Sequence, residues 1–381
     1  MERGAHPVIS PRFIGCADDW PVGAEDIRAY LSAFAAGSQA MISNLRTQVL
    51  ALRSGARVFP VTVNNDEERD AYVCLPHTAY ALYAKAELDL VDAGPFSPLL
   101  GLLIDAAGGL LKAGRINKVV HLGNWMLSTN LHGGWRGEDI PAIRTFLTGA
   151  YPDHLLAVRS INRWSDPTLA DALEADGWRL LPARQIYVTE DLSTAWRPRR
   201  DTRRDLALLE AARDRLDPLA SLRPGDAARI RELYDLLYLG KYSALNPAFT
   251  EAFIEMTHAS GVLRYRGLRA PDGQLEAVVG AMVRGGILTT PIVGYDTARP
   301  ASDGLYRMAS AMLALMAEEA GARLNGSAGA ASFKRHRGAE PVIEYTAYFA
   351  RHLSAPRRAM IAGLQGLLNT VGVPVMQGQS L

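Results

Sequence analysis

The sequence predicts a mixed α/β fold (an α+β mixed sheet) of two units in tandem, preceded by a helical N-terminal arm. From residue 56 onward, apolar segments of strand length alternate with amphipathic segments of helix length. This alternation starts a second time after an arginine-rich segment. A chain of 381 residues with 48% hydrophobic content is long enough for two domains. The predicted division is an arm over 1–55, a first unit over 56–195, a basic linker and helix over 196–220, and a second unit over 221–381.

The composition limits the function classes that the chain can serve. With 41 Lys and Arg against 40 Asp and Glu, the net charge is +1, so the chain as a whole is not suited to holding nucleic acid or an anionic membrane. Two cysteines, Cys16 and Cys74, provide no disulfide framework and no cysteine-based zinc cluster. The N-terminus lacks the pattern of a secretory signal, and no apolar run predicts a membrane span. A cytoplasmic protein is expected.

The arm and the first unit are assigned from local patterns of apolar and turn residues. The arm is expected to hold helices over 23–34 and 39–53, the second of which stops at Gly55. The first unit is expected to begin with a hairpin, 57–63 and 71–75. Its further strands are predicted over 118–122, 154–159 and up to Tyr187 and Val188, and its helices over 99–112, 139–149 and 166–176.

The segment 191–204 concentrates five arginines around one proline. Exposed arginine runs are common where one domain passes into the next, so a solvated basic connector is one interpretation. A docking strip for an anionic ligand or for an acyl carrier protein is the other. A helix over 206–216 follows it.

The second unit begins with a helix cap at 223–226 and a helix over 227–239. An apolar strand starts at Gly280 and leads to a turn with Gly294, Tyr295 and Asp296. A helix start at 300–303, a long amphipathic helix, a strand over 323–327, a basic loop over 333–338, a strand over 342–349 and a final helix over 356–368 complete the unit.

The order of elements in residues 280–348 resembles the C-terminal half of the GNAT acyltransferase fold. The run from Phe333 through Lys334 to Gly338 is also similar to the FKxxxG signature of Fem-type transferases. The resemblance implies direct attack of an amine on a thioester, with acyl coenzyme A or an acyl carrier protein as donor and an amine-bearing small molecule or peptide as acceptor. One alternative is a Fem-like enzyme that uses aminoacyl-tRNA, the one case in which nucleic acid is expected; another is a catalytically silent binding protein.

The resemblance also implies where the acyl donor binds. In GNAT enzymes the pyrophosphate lies at the start of a helix, where unpaired backbone N–H groups and the helix dipole favour an anion. The matching residues here are Asp303, Gly304, Leu305, Tyr306 and Arg307, although the usual family glycine pattern is absent at 299–304. A plain helix cap explains the same residues. Beside the transferred group the resemblance places Phe333, Lys334 and Arg337, which also suit a solvated turn.

The candidate catalytic groups are acids and phenols of the second unit. Glu344, an acid in an apolar strand, and Asp296 are candidate bases, and Tyr242 or Tyr345 is the candidate acid. Glu344 and Tyr345 point to opposite faces of a strand and cannot both line one cleft. His336 is a further candidate base, or a surface histidine.

Two polar segments are predicted to contact the substrate. Lys241, Ser243 and Asn246 lie with Tyr242 between two helices, where GNAT-like folds place the acceptor loop. Asn124, Ser128, Thr129 and Asn130 follow the strand 118–122, and Arg159 after the next strand is expected to converge on the same cleft. A turn network that ties the first-unit loop to itself is the alternative. No phosphate-binding loop, no HExxH, no GxSxG and no metal-ligand spacing occurs, so no metal site is expected.

Overall fold

A computed structural model describes residues 10–15, 19–86 and 97–378, without the side chains of 97–100. Its main feature is one mixed sheet of twelve strands in the order β1-β2-β3-β4-β5-β12-β6-β11-β10-β9-β8-β7, so the predicted mixed α/β class is confirmed. The strands are β1 Arg12–Phe13, β2 Gln48–Ser54, β3 Arg57–Asn65, β4 Lys118–Leu122, β5 Leu155–Ile161, β6 Arg179–Thr189, β7 Leu216–Asp217, β8 Arg264–Arg269, β9 Leu275–Arg284, β10 Ile287–Tyr295, β11 Arg323–Asn325 and β12 Glu340–Phe349.

Helices cover the faces of this sheet. They are α1 Glu25–Ser32, α2 Ser97–Ala113, α3 Ile140–Ala150, α4 Pro167–Ala175, α5 Arg200–Ala211, α6 Asp226–Asp235, α7 Glu251–Ala259, α8 Leu305–Glu319, α9 Ala331–His336, α10 Ala355–Leu367 and α11 Val373–Gly378. The π-helical turn Leu368–Gly372 makes α10 and α11 continuous. The apolar side of α8 packs on β8, β9 and β10, whereas α2 and α10 pack near β4, β5 and β6.

The two halves of the chain share this sheet because the last strand crosses over. β12 lies between β5 and β6 and is antiparallel to both. Each half contains one parallel pair, β4 with β5 in the first and β10 with β11 in the second. The repeated arrangement agrees with the tandem pattern of strands and helices in the sequence. It also brings residues from both halves of the chain to the centre of the sheet.

The arm differs from its prediction. Residues 39–53 do not form a helix: a short 3₁₀ turn, Ser38–Ala40, is followed by strand β2, which pairs along its full length with β3. Pairing with a neighbouring strand outweighs the local helical preference there. Residues 71–75 are not a strand either: they form a turn in which the N–H of Cys74 donates to the carbonyl of Ala71, and the N–H of Ala71 donates to the carbonyl of Asn44. Cys16 lies outside the described residues.

The arginine-rich segment is more ordered than a simple connector. Leu192–Trp196 forms a π-helical turn in which Trp196 is buried, and α5 begins at Arg200. The predicted basic loop is helix α9, and Gly294 belongs to β10. Position 294 has no room for a side chain, because a Cβ atom there would lie 2.6 Å from the backbone of Leu233 in α6. This glycine is required because the helix approaches the strand closely, and not because the chain turns there.

The C-terminal helix departs from the prediction that no apolar run suits a membrane span. No charged residue occurs in 359–381. The helix Ala355–Gly378 is long and apolar enough to cross a membrane by length and composition, and little of it is buried in the protein. Among the described residues one helix has this length and composition, and a single such helix is weak evidence for a membrane span. The uncharged Gln365, Asn369 and Gln377 interrupt its apolar surface.

Candidate functional site

A charged pair lies at the centre of the sheet, on strands contributed by the two halves of the chain. Arg184 of β6 and Glu344 of β12 are register partners, and Arg184 Nε donates to Glu344 Oε1 over 2.8 Å. Glu344 is buried, with 3% of its side chain exposed. Glu344, predicted as an acid in an apolar strand, is therefore a paired acid, because a strand distant in sequence supplies its counter-ion.

Two irregularities in strand pairing flank this pair. The register of β12 against β6 shifts between Glu344 and Tyr345, and its register against β5 shifts between Tyr345 and Ala347. Ser160, in β5, has a positive φ of 63° and its Oγ accepts a hydrogen bond from the N–H of Asn130. Bulges of this kind redirect side chains and are frequent next to active sites.

Arg159 of β5 lies on the same sheet face, beside the pair. Its Nη1 donates to Asn124 Oδ1 and to the carbonyl of Leu127, each over 3.2 Å, and its Nη2 donates to the carbonyl of Ser128 over 3.4 Å. Its guanidinium also lies 5.7 Å from the centre of the Tyr72 ring. The prediction that Arg159 converges with the loop after β4 agrees with these contacts.

The loop after β4 is held by these two arginines. Arg184 Nη2 donates to the carbonyl of Ser128 and to Thr129 Oγ1, each over 2.8 Å. The amide of Asn124 contacts Thr62, Val73 and Cys74, and Asn130 Oδ1 accepts from the N–H of Trp125. The polar groups of Asn124, Thr129 and Asn130 are thus engaged within the protein. The turn network left open as the alternative accounts for these contacts, and Ser128 presents its carbonyl to the arginines.

Lys334 of α9 completes a group that we name the central polar cluster: Arg159, Arg184, Lys334 and Glu344. Lys334 Nζ donates to the carbonyls of Ser327 and Ala328 over 3.1 and 2.7 Å. Burial, with a further effect from Arg184, lowers the pKa of Lys334 to about 7. An ammonium has three donors, so one hydrogen of the protonated form is left for a ligand. The cluster contains three cationic side chains and one carboxylate.

Two buried polar atoms on this face, Glu344 Oε2 and His121 Nδ1, have no hydrogen-bond partner among the described residues. Burial, reinforced by Arg159, lowers the pKa of His121 to about 3, so this imidazole is neutral at ordinary pH. Unsatisfied buried polar atoms are uncommon in native proteins and frequently mark the place of a ligand or water. The open oxygen of Glu344 is the one on a charged group.

The predicted donor-binding residues lie together at the start of α8, but their charges are compensated within the protein. Arg307 Nε and Arg337 Nε each lie 2.6 Å from a carboxylate oxygen of Asp205, a buried residue of α5. Asp303 pairs with Arg299 over 2.8 Å. Asp205 is not among the residues predicted from the sequence, because it lies just before the helix predicted over 206–216, whereas the observed helix begins at Arg200.

The backbone at this helix start is also covered. A Cβ atom at Gly304 would lie 2.4 Å from the side chain of Leu208, so α5 packs directly over the first turn of α8, which begins at Leu305. The Tyr306 ring contacts Phe333 at 4.8 Å between centroids. The Arg337 guanidinium lies 3.4 Å from the centre of the Phe333 ring. These residues therefore lie together, and Asp205 pairs with the two arginines among them.

The remaining predicted residues lie apart from the central polar cluster. Tyr242 is 43% exposed, and Lys241 Nζ lies 5.9 Å from its ring centre. Asn246 Nδ2 donates to the carbonyls of Tyr238 and Ser243, which closes the loop on itself. Asp296 Oδ2 accepts from Arg229 Nη2 over 3.0 Å. Within the described part of the chain, none of these residues forms a hydrogen bond or ion pair with the cluster, and no group of metal-ligating side chains occurs.

Comparison with known proteins gives similarities to solved structures. No protein family model and no curated protein sequence matches the chain. L-PGS from Bacillus licheniformis is 17% identical, with a TM-score of 0.43 over 65% of this chain and 82% of that chain. FemX is 10% identical, with a TM-score of 0.42 over 62% and 80%. A tandem GNAT protein from the clavulanic acid biosynthesis pathway is 12% identical, with a TM-score of 0.37 over 91% and 100%. The structures to which this chain is similar thus include the GNAT and Fem types that its sequence resembles.

Proposed function

We propose that this protein is a GNAT-like N-acyltransferase that moves an acyl group from a thioester donor to an amine acceptor. The observation that carries the proposal is the open oxygen of Glu344, a buried carboxylate oxygen without a hydrogen-bond donor among the described residues. Arg184 pairs with the other oxygen of the same carboxylate, and Arg159 and Lys334 lie beside Arg184 at the point where the two halves of the sheet meet. Glu344 Oε2 can accept a hydrogen bond from an amine that enters the cluster. The cationic side chains can donate hydrogen bonds to the negative charge that develops on the carbonyl oxygen.

Glu344 Oε2 is the acceptor for an N–H of the attacking amine. The nitrogen lone pair forms the new C–N bond to the thioester carbonyl carbon, whose π electrons move to the carbonyl oxygen. The resulting oxyanion re-forms the carbonyl as the C–S bond breaks and the sulfur leaves as thiolate. The proton that the amine loses passes to Glu344 and then to the thiolate, so the carboxylate is regenerated. Arg184 keeps the other carboxylate oxygen in place.

Lys334 is the donor proposed for the oxyanion. Its Nζ is anchored by two backbone carbonyls, so its position is set before a substrate arrives. Pre-positioned donors stabilise charge that develops in the transition state without reorganising during the reaction. With its pKa at about 7, Lys334 is protonated in about half of the molecules at neutral pH. Acyl transfer that depends on protonated Lys334 is therefore expected to weaken above neutral pH.

The donor is proposed to be an acyl group carried on a macromolecule in preference to free acyl coenzyme A. The residues predicted to hold the pyrophosphate do not fit it, because Asp205 compensates both Arg307 and Arg337 and α5 covers the helix start. An exposed cationic surface lies nearby: Arg199, Arg200, Arg203 and Arg335 form no ion pair among the described residues. An acyl carrier protein is acidic and suits such a surface.

The second candidate is a Fem-like transfer of an aminoacyl group from tRNA. The same exposed arginines favour it, since guanidinium groups bind phosphates bidentately. Here the amine displaces the ribose oxygen of an ester instead of a thiolate, and Glu344 and Lys334 keep their roles. The two candidates differ in the donor alone.

The test is a donor and acceptor screen with product detection by mass spectrometry. Purified protein is incubated with a mixture of amines and, separately, with acetyl coenzyme A, long-chain acyl coenzyme A, acylated carrier protein or aminoacyl-tRNA. An N-acylated product with one of these donors, lost in Glu344→Gln, supports the proposal. Glu340→Gln is the matched control, because Glu340 lies on the same strand but is exposed. Turnover by Glu344→Gln close to that of the native protein would remove Glu344 from its role, and no product with any donor would reject acyl transfer.

A further inference from the structure

We propose that Arg159 forms an anion-binding subsite, and that the acceptor amine also carries a carboxylate or phosphate group. This inference deepens the proposed function and rests on it. The acceptor would place its nitrogen at Glu344 and its anionic group at Arg159. Its chemical class is then a zwitterionic amine, such as an amino acid or an aminoalkyl phosphate.

The first argument is that Arg159 has hydrogen-bond donors to spare. A guanidinium carries five N–H donors. Three of them are used, on Asn124 Oδ1 and on the carbonyls of Leu127 and Ser128. The Nε hydrogen and one Nη2 hydrogen have no acceptor among the described residues. Two such hydrogens suit bidentate binding of a carboxylate or phosphate.

The second argument concerns charge. The Arg159 side chain is partly buried and, within the described residues, forms no ion pair. Arg184, in contrast, is neutralised by Glu344. Neither the neutral His121 nor the thiol of Cys74, whose pKa burial raises to about 11, offers a negative charge. The charge of Glu344 also acts on Arg159, but this carboxylate is already paired with Arg184. Withdrawing an unpaired charge from water is costly, and an anionic ligand offsets that cost.

The electrostatics of Arg159 agree with this arrangement. Burial lowers the pKa of Arg159 from its usual value and Arg184 lowers it further, whereas Tyr72 and Glu344 raise it without offsetting the effect of burial. An anion bound beside Arg159 adds a favourable interaction with its positive charge. The site is thus more favourable for an anionic acceptor than for a neutral amine.

The third argument is the position of Arg159 relative to Glu344. β12 pairs with β5 near Arg159 and with β6 at Arg184, so the three strands lie side by side. The carbonyl of Ser128 accepts hydrogen bonds from both Arg159 Nη2 and Arg184 Nη2, and Arg184 Nε donates to Glu344 Oε1. These shared contacts bring the side chains of Arg159 and Glu344 close to each other. By strand spacing their Cα atoms are about 8 Å apart, which long side chains can span to a single small molecule.

The shared ligand chemistry, a carboxylate or phosphate, has two sources: the acceptor and the donor. A phosphate of coenzyme A would also satisfy Arg159. The proposal assigns the anion to the acceptor because Glu344, the place of the amine, is on the adjacent strand. The experiment separates these sources by measuring both ligands.

The experiment measures binding, without any need for turnover, by thermal shift on the full chain. The probes are 2-aminoethyl phosphate and β-alanine, with ethylamine as the amine that lacks an anion and coenzyme A as the donor arm. We expect the first two to raise the melting temperature of the native protein at concentrations at least about tenfold lower than ethylamine. In Arg159→Gln that difference should disappear.

The matched control is Arg163→Gln, which removes an exposed arginine paired with Asp171 and Glu174 in the loop after the same strand. It should leave the preference for anionic probes unchanged. Arg159→Lys keeps one positive charge and should retain part of the preference, which provides a second variant if Arg159→Gln does not fold.

Three results would overturn the inference. They are equal stabilisation of the native protein by ethylamine and the anionic probes, an unchanged preference in Arg159→Gln, and a loss in that variant confined to coenzyme A. Failure of the proposed function is distinguishable from these. If the anionic probes bind through Arg159 but no donor yields product, acyl transfer fails while the subsite stands. If amines without an anion are acylated as efficiently as the others, the subsite fails while acyl transfer stands.

Discussion

Arg184 and Glu344 face each other on neighbouring strands, with 2.8 Å between Arg184 Nε and Glu344 Oε1. This pair joins the two halves of the chain and ties the loop after β4 to the sheet, because Arg184 also contacts Ser128 and Thr129. One oxygen of Glu344 stays open. The carboxylate of Glu344 is thus both a member of a structural ion pair and the candidate catalytic proton acceptor.

Removing one member of this pair should destabilise the protein more than removing both. Arg184→Met leaves the Glu344 carboxylate buried without its counter-ion, and a loss of about 3–5 kcal/mol in the free energy of unfolding is expected. The double variant Arg184→Met with Glu344→Gln should recover part of this loss, because no buried charge is left. Urea denaturation of the four proteins of this cycle measures the coupling. Strictly additive losses would show that the pair does not act as a unit.

Stability should rise with pH because of Lys334. Burial lowers its pKa from 10.5 to about 7, so the unfolded chain binds more protons than the native protein between these values. The free-energy cost of burying protonated Lys334 is fully present below pH 7. It decreases as the pH increases, so the free energy of unfolding rises by at most about 1.4 kcal/mol per pH unit. Urea denaturation at several pH values should show the native protein gaining stability relative to Lys334→Met above pH 7. Lys241→Met, which removes an exposed lysine, should show no such divergence.

Asp205 should be essential for the packing of α5 on α8 and α9. It pairs with Arg307 and Arg337, and Arg337 is buried, with 10% of its side chain exposed. Asp205→Asn leaves these cations without a counter-charge, and we expect a loss of about 3–5 kcal/mol in the free energy of unfolding. Asp201→Asn, on the same helix but with exposed partners, should cost less than about 1 kcal/mol. Equal losses in the two variants would contradict the assigned role.

The exposed arginines should govern the donor and leave the chemistry unaffected. In the variant with Arg200→Glu and Arg203→Glu, the apparent Michaelis constant for a polyanionic carrier donor should increase several-fold, most strongly at low salt. The turnover number at saturating donor should change little. Arg136→Glu, an exposed residue of the first half, is the control. An increase of the same size in the control, or one independent of salt, would show that the position of these arginines does not matter.

Gly294 should tolerate no side chain. A Cβ atom there would lie 2.6 Å from the backbone carbon of Leu233, which α6 cannot easily move. Gly294→Ala is expected to cost about 1–3 kcal/mol in unfolding free energy through overpacking. Gly240→Ala, where the nearest atom lies at 3.5 Å, is the comparison and should cost less. Thermal denaturation of both variants is the measurement.

Local patterns in the sequence located most elements of the described chain. The strand predicted over 118–122 is β4 as observed, and the helices predicted over 139–149 and 166–176 agree with α3 and α4 within one residue at each end. Such segments carry their own periodicity and caps, so residues nearby in the sequence determine their conformation. The helix predicted over 39–53 was wrong because pairing with β3, and not the local sequence, determines the conformation of β2.

The sequence by itself determined the fold class, the repeated order of strands and helices, and the residue types of the candidate site, including Lys334, Glu344 and Arg159. The tertiary structure alone decided that β12 lies between β5 and β6, that Arg184 neutralises Glu344, and that Asp205 takes up Arg307 and Arg337. Glu344 and Arg184 are 160 positions apart along the chain. Contacts of that separation leave no local periodicity, so charge pairing and the open donors of Arg159 emerge only when the strands are side by side.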